Sequence, residues 1–125
     1  MSLYLLIRPG IAVSLQGSAR DPTRARADAV PAGISLVCGL PTARLDSLLM
    51  RVARDSDLRI VLTRHGGGAG YLADGYARAC DRPAAVFAAG PGTINVVTAV
   101  ANAAVNHVPV LVLTGEVPVV EFVLQ

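Results

Sequence analysis

The chain has 125 residues, of which 53% are hydrophobic and 16% are charged. This length corresponds to roughly one domain, and the apolar content excludes a disordered chain because it is sufficient for a buried core. The net charge is only +2, and all the basic residues are arginine. Such a weak positive balance does not indicate nucleic-acid binding.

The compartment is predicted from short apolar runs and from cysteine usage. The runs at 3–7 and 108–113 are too short to span a membrane or to form the core of a signal peptide. Cys38 and Cys80 lie in apolar or helical stretches, without the spacing of a metal site or of a disulfide framework. We therefore expect a cytoplasmic protein that binds neither membranes nor nucleic acid.

The first 27 residues are predicted to form an irregular or disordered segment. Either 3–6 or 11–15 is a candidate short strand within it. The stretch 17–26 is polar and rich in arginine and contains Pro22, which is typical of a loop or an arm. The regular pattern that follows assigns residues 28–125 to a single domain.

Four strands are predicted from short apolar or β-branched runs at 34–38, 58–63, 84–89 and 108–114. These runs show no clear alternation of apolar and polar residues, which indicates burial on both faces and hence a parallel sheet. The strands alternate with helical patterns. This order predicts an α/β fold with a parallel sheet and helices on both faces.

Three helices are predicted between these strands. The first follows Thr42, which can cap it, and the other two follow glycine-rich turns at 66–70 and 90–92. Apolar residues at helical spacing define one buried face for each helix. The predicted faces consist of Leu45, Leu48, Leu49 and Val52 in the first helix, Leu72, Ala73, Tyr76 and Ala77 in the second, and Ile94, Val97, Ala101 and Ala104 in the third.

The turns after the strands are the candidate binding region, because ligands of parallel sheets bind at the carboxyl ends of the strands. These turns lie at 39–41, 64–66, 90–92 and 115–118. The segment GAGYLA at 68–73 also fits the glycine pattern of dinucleotide-binding domains, although no carboxylate ends the next strand. A dinucleotide-binding domain is therefore kept as an alternative.

Three ionisable residues lie near these turns. His65 follows a strand, where a catalytic base could lie, but no nucleophile accompanies it, so we interpret it as structural. Asp74 is predicted to pair with Arg78, four residues further along the second helix. Glu116 lies just beyond the last strand, where it could make a polar contact or simply be exposed.

Four motifs in order carry a family resemblance. They are VCGLP at 37–41, RH followed by GAGYLADGYARA at 64–79, GPGTIN at 90–95 and VPVLVLTGEVP at 108–118. Together they resemble the N-terminal pyrimidine-binding domain of thiamine-diphosphate-dependent enzymes, of the acetolactate synthase and decarboxylase family. The resemblance covers about residues 32–118 and identifies 28–125 as a partial domain of this kind.

The resemblance implies thiamine diphosphate as cofactor and a division of labour between domains. This domain would hold the aminopyrimidine ring through Pro41, Gly66, Gly90, Pro91 and Gly92. Magnesium would bind only through a diphosphate-binding domain that the chain lacks. Family enzymes are lyases or transferases that decarboxylate or ligate 2-keto acids, with the cofactor as electron sink. The resemblance also implies pairing through this domain, as a homo-oligomer or with a family homologue.

One departure from the family pattern concerns activation of the cofactor. In the family, a glutamate directly after the Arg-His pair hydrogen-bonds the pyrimidine ring nitrogen and favours its imino tautomer. Gly66 occupies this position, so the sequence supplies no catalytic residue, and enzyme activity is left open. The chain is expected to be inactive alone.

Two alternatives follow from this departure and from the length of the chain. The first is a non-catalytic interaction module that pairs with an intact homologue, for which the alanine-rich stretch 99–104 would allow close approach. The second is a truncated or frame-shifted gene product, which the notable difference of residues 1–27 from the family and the early end of the domain at residue 125 would suggest.

Overall fold

The computed structural model describes residues 2–6, 12–16, 33–41, 50, 53–54 and 58–115 of the chain. This described part contains six strands and two long helices. The strands are β1 (Ser2–Leu6), β2 (Ala12–Gln16), β3 (Leu36–Gly39), β4 (Arg59–Leu62), β5 (Ala84–Ala89) and β6 (Val110–Gly115). The helices are α1 (Gly66–Cys80) and α2 (Pro91–Val105).

The strands form one mixed sheet in the order β2-β1-β6-β5-β3-β4. Strands β3, β4, β5 and β6 are mutually parallel, with Val37 opposite both Ile60 and Ala85, and Ala85 opposite Leu111. These are the four strands that the apolar runs predict. The predicted α/β fold with a parallel sheet is therefore confirmed.

The parallel part of the sheet is extended by an N-terminal hairpin. Strand β1 pairs antiparallel with β2 and, on its other side, with β6. The sequence left open which of the two candidate segments is a strand, and the structure forms both. The predicted boundary after residue 27 falls among residues outside the described ranges, so the division of the chain at that point stays a prediction.

The central strands are buried on both faces, as their uninterrupted apolar runs predict. Alternate side chains of β5 point to opposite faces. Val86 packs in the core beneath the helices, while Phe87 on the opposite face is also fully buried. Both described helices lie on the Val86 face, because they pack on each other and on β5. The helix predicted after Thr42 lies almost entirely outside the described residues.

The buried face predicted for α2 is wrong. All four residues assigned to it are exposed: Ile94, Val97, Ala101 and Ala104. The face that meets the core consists of Val96, Ala99 and Ala103. Apolar residues occupy most of the surface of this helix and none of its residues is charged, so the spacing of its apolar residues does not select one narrow face.

Helices α1 and α2 run parallel and touch along a line that we call the helix seam. It consists of Gly66, Gly70 and Asp74 on α1, and Gly92, Val96, Ala99 and Asn102 on α2. Successive seam residues of α1 meet successively later residues of α2. The N-termini of the two helices therefore lie together, at the carboxyl edge of the parallel strands.

Candidate functional site

The candidate site lies where the chain leaves two neighbouring parallel strands in opposite directions. Strands β3 and β5 are adjacent, but β3 leads to β4 on one side, and β5 leads to β6 on the other. Such a switch point opens a crevice at the carboxyl ends of the strands, which is where ligands of open parallel sheets bind. Pro41 follows β3 and is exposed, and the turn 90–92 follows β5.

The turn 90–92 brings bare backbone to this edge. Gly90 has φ 55° and ψ −135°, a conformation that only glycine adopts readily. Pro91 then begins α2, and the Thr93 N–H donates a hydrogen bond to the Gly90 carbonyl at 3.1 Å. A Cβ atom at Gly92 would meet nothing closer than the Ala88 Cβ at 4.0 Å. A flat ligand could therefore approach this turn closely.

Residues 66–70 were predicted as a turn, but α1 begins at Gly66. His65 is its N-cap, with extended backbone, and its Nδ1 accepts a hydrogen bond from the Gly67 N–H at 3.1 Å. This contact agrees with the structural role predicted for His65. The glycines are tolerated in a helix, despite their poor propensity, because Gly66 and Gly70 allow α1 to pack against α2.

Gly66 is buried against the first turns of α2. A Cβ atom at this position would lie 2.5 Å from the Gly92 carbonyl oxygen, 3.1 Å from Val96 Cγ2 and 3.2 Å from Asn95 Cβ. The structure thus brings Gly66 together with Gly92, beside Gly90 and Pro91. Pro41 belongs to the same edge, at the end of the neighbouring strand β3.

The ionisable side chains in the described turns of this edge are an arginine and a histidine. Arg64 and His65 are both exposed, and the described turns 39–41, 63–66 and 90–92 contain no carboxylate. Glu116 lies outside the described residues. Within the described ranges, no group of three or more histidine, cysteine, aspartate or glutamate side chains could hold a metal ion. The turns therefore suit close approach of a ring, but position 66 offers no carboxylate to it.

The far end of the helix seam carries a buried polar network. Asp74 is only 5% exposed and accepts hydrogen bonds from Arg78 Nε at 3.0 Å and from Arg78 Nη2 at 3.1 Å. The predicted pair is thereby confirmed. Asn102 Nδ2 also donates to Asp74 Oδ2 at 3.1 Å, which ties α2 to α1. No local spacing could have revealed Asn102, because it is distant in sequence.

Cys38 lies on β3 in the core beneath α1. It is fully buried, and this burial raises the pKa of its thiol to about 11 because a thiolate would lose its hydration. Cys80, at the end of α1, is exposed, and both cysteines are free. The Cys38 thiol therefore stays protonated at neutral pH.

The dinucleotide alternative is not supported by the position of its glycines. The pattern at 68–73 begins on the third residue of α1, whereas a dinucleotide fingerprint needs its first glycine in the turn between strand and helix. Gly68 is exposed, with no atom within 4 Å of an added Cβ.

Among the described residues, no helix combines the length and the apolar character needed to cross a lipid bilayer.

Comparison with known proteins gives one family. Residues 25–123 match the family model of the thiamine pyrophosphate enzyme, N-terminal TPP binding domain. Over 94 residues, the chain is 70% identical to a Mycobacterium tuberculosis protein named as an acetolactate synthase large subunit, IlvB2; this match covers 75% of the chain and 17% of that protein. Over 87 residues, it is 38% identical to the Escherichia coli acetolactate synthase isozyme 1 large subunit, covering 69% of the chain and 16% of the relative.

A solved structure gives the same relationship. An X-ray structure of a protein from Mycobacterium smegmatis, assigned as a thiamin diphosphate-dependent enzyme, superposes with a TM-score of 0.67 and 26% sequence identity. It covers 85% of this chain and 21% of that protein. The chain thus spans less than a fifth of the length of the two curated relatives.

Proposed function

The chain belongs to the N-terminal thiamine-pyrophosphate-binding domains of thiamine pyrophosphate enzymes, and from this premise we propose that it binds the aminopyrimidine ring of thiamine diphosphate at the carboxyl edge of its sheet. The ring would lie against Pro41, Gly66, Gly90, Pro91 and Gly92. The domain would do so without catalysing a reaction by itself. The cytoplasm is the proposed location.

The observation that carries this proposal is the switch point between β3 and β5. The turns at 39–41 and 90–92 flank it, and neither turn presents a bulky charged side chain. Gly90 and Gly92 present no side chain to a flat ring. The cofactor of this family is thiamine diphosphate, whose aminopyrimidine ring is flat.

Inactivity of the isolated chain is proposed from the chemistry of the edge. Bound thiamine diphosphate supplies an electron sink for reactions of 2-keto acids. In the family, a carboxylate at the ring nitrogen favours the reactive tautomer of the pyrimidine, and Gly66 has no side chain to provide one. Diphosphate and magnesium would be held by another domain, so this chain is expected to bind the ring weakly.

The proposal is tested by isothermal titration of the full chain with thiamine diphosphate, and separately with thiamine. Gly92→Ala is the test variant, because the fold leaves room for its Cβ but the edge would become crowded. Gly75→Ala is the matched control, since Gly75 lies on the exposed side of α1 with open space around it. Gly92→Ala should weaken binding, while Gly75→Ala should leave it unchanged.

Two further results would support or refute the proposed ring-binding site. Equal affinity for thiamine and thiamine diphosphate, with no effect of magnesium, is expected if this chain contacts only the ring portion. Absence of binding by the unmodified chain, or equal weakening in both variants, would refute the proposed site.

A second candidate function is an interaction module that pairs with an intact family member. The observation that favours it is the outer surface of the two helices. Most of the exposed large hydrophobic residues in the described ranges lie there: Tyr71, Leu72, Ile94, Val97 and Val105. An uncharged helix with such a face is typical of a protein–protein contact.

Sedimentation of the chain, alone and with a purified acetolactate synthase large subunit, tests this candidate. Replacing Ile94 and Val97 together by glutamate should abolish association. Leu62→Glu, at an equally exposed apolar residue on β4, should not affect it. A chain that stays monomeric in both experiments would exclude the interaction module.

A further inference from the structure

We infer that the close packing of α1 on α2 has taken up the space for any side chain at position 66, so that Gly66 is now a packing residue and a carboxylate cannot be restored there by substitution alone. The role of position 66 in cofactor binding rests on the proposed function. The packing rests only on the geometry of the two helices.

The volume beside Gly66 is occupied by parts of α2 that cannot easily move. The nearest atom to an added Cβ, at 2.5 Å, is the carbonyl oxygen of Gly92, which belongs to the backbone. The next is Val96 Cγ2 at 3.1 Å, and the Val96 side chain is itself only 1% exposed. A rotamer change therefore cannot relieve the overlap, and α2 would have to shift.

The rest of the helix seam opposes such a shift. One turn further along α1, a Cβ atom at Gly70 would lie 2.5 Å from Ala99 Cβ, so the helices are in close contact there as well. One turn beyond, the hydrogen bond from Asn102 to buried Asp74 fixes their separation. Moving α2 away from position 66 would either open this packed seam or strain that bond.

The outer glycines of α1 behave differently and provide internal controls. An added Cβ would meet no atom within 4 Å at Gly68 or at Gly75. The same helix therefore has room for added side chains at Gly68 and Gly75 but not at Gly66 and Gly70. A simple loss of the glutamate, with its space left open, would instead have left Gly66 as tolerant as Gly68.

Thermal unfolding and isothermal titration of four variants test the inference: Gly66→Ala, Gly66→Glu, Gly68→Ala and Gly68→Glu. We expect Gly66→Ala to lower the Tm by about 5 °C or more, whereas Gly68→Ala should keep or raise it. Gly66→Glu should be at least as destabilised as Gly66→Ala. It should bind thiamine diphosphate no more tightly than the unmodified chain.

The inference is overturned if Gly66→Ala is as stable as Gly68→Ala, or if Gly66→Glu keeps its Tm and gains affinity for thiamine diphosphate. If Gly66→Glu fails to fold while Gly68→Glu folds, the difference in Tm between Gly66→Ala and Gly68→Ala still tests the inference. The readouts are separable from those of the proposed function: absence of cofactor binding by the unmodified chain refutes that function, whereas the Tm difference tests the packing alone.

Discussion

The two ends of the helix seam hold α1 and α2 together by opposite means. At the end nearest the candidate site, Gly66 and Gly70 meet α2 with no side chain of their own. At the far end, Asp74 joins Arg78 and Asn102 through directional hydrogen bonds. The site end is therefore sensitive to added volume, whereas the far end is sensitive to lost polar partners.

The largest effect is expected from breaking the far end. Asp74→Ala should lower the free energy of unfolding by about 3 kcal/mol, because it removes a buried carboxylate and leaves the Asn102 amide without that acceptor. The loss should stay near the lower end for buried ion pairs, since the Arg78 side chain is 42% exposed and can turn to water. Urea denaturation measures it.

Two companion variants separate charge from hydrogen bonding at this end. Asp74→Asn keeps an oxygen that can accept from Asn102, and it should cost less than Asp74→Ala. Arg78→Ala should cost still less because the arginine is partly solvated. If all three variants were within about 0.5 kcal/mol of the unmodified chain, the far end would not be a structural anchor.

A change of pH tests a buried group in the core beneath α1, the thiol of Cys38. Cys38 has a thiol pKa of about 11 in the folded chain, against 9.0 for an exposed thiol. Between these pH values the folded state holds the proton that the unfolded state loses, so stability falls as the pH rises. The expected loss is about 2 kcal/mol between pH 9 and pH 11.

Denaturation of the chain and of Cys38→Ala at pH 8.5 and at pH 10.5 checks this expectation. The variant should show a smaller fall in stability, although it starts from a lower value because of the cavity it creates. Parallel pH curves for the two would contradict the assignment to Cys38.

The next effect concerns the site end, one turn away from position 66. Gly70→Ala should destabilise the fold by about 1 to 2 kcal/mol, because the new methyl group would overlap with Ala99 Cβ. The better helix propensity of alanine offsets part of this cost. Adding Ala99→Gly should recover stability, as measured by urea denaturation. An unrecovered double variant would show that the overlap does not lie at Ala99.

The smallest effect has the opposite sign. Gly75→Ala lies on the exposed side of α1, where an added Cβ meets no atom within 4 Å. Alanine should therefore stabilise the chain by about 0.5 to 1 kcal/mol through helix propensity alone. A rise in Tm for Gly75→Ala beside a fall for Gly70→Ala would establish that the two sides of α1 differ. A fall in Tm for both variants would contradict the view that only the seam side of α1 is closely packed.

The sheet could be predicted from the sequence because its signal is local. Each of the runs at 34–38, 58–63, 84–89 and 108–114 is apolar without alternation, and a buried parallel strand requires this pattern. The β1–β2 hairpin was harder to predict, because short N-terminal segments give only a weak strand signal. Its pairing with β6 depends on residues at the other end of the chain.

The helix seam could not be predicted, for two physical reasons. Glycine has poor helix propensity, so a run of glycines at 66–70 indicates a turn unless a neighbouring helix makes their lack of side chains favourable. In α2, apolar residues occupy most of the helix surface, so Ile94 and Val97 were as plausible for the core as Val96. Only tertiary packing chose between them.

The sheet edge that carries the candidate site could be predicted, whereas the site residues themselves stay a prediction. The turns after β3 and β5 are expected at the same edge, because the carboxyl ends of parallel strands share an edge. The contact between Gly66 and Gly92 could not be predicted from the sequence, because it depends on how α1 packs against α2.

The pairing of β1 with β6 has a consequence for how the chain folds. More than a hundred residues separate Leu3 from Leu113, which are opposite each other in the sheet. Such pairings of high contact order slow folding, because a long loop must close before the contact is gained. During synthesis, the β1–β2 hairpin leaves the ribosome before β6, and its pairing with β6 must wait until β6 emerges. Completion of the sheet is therefore expected to be a late step.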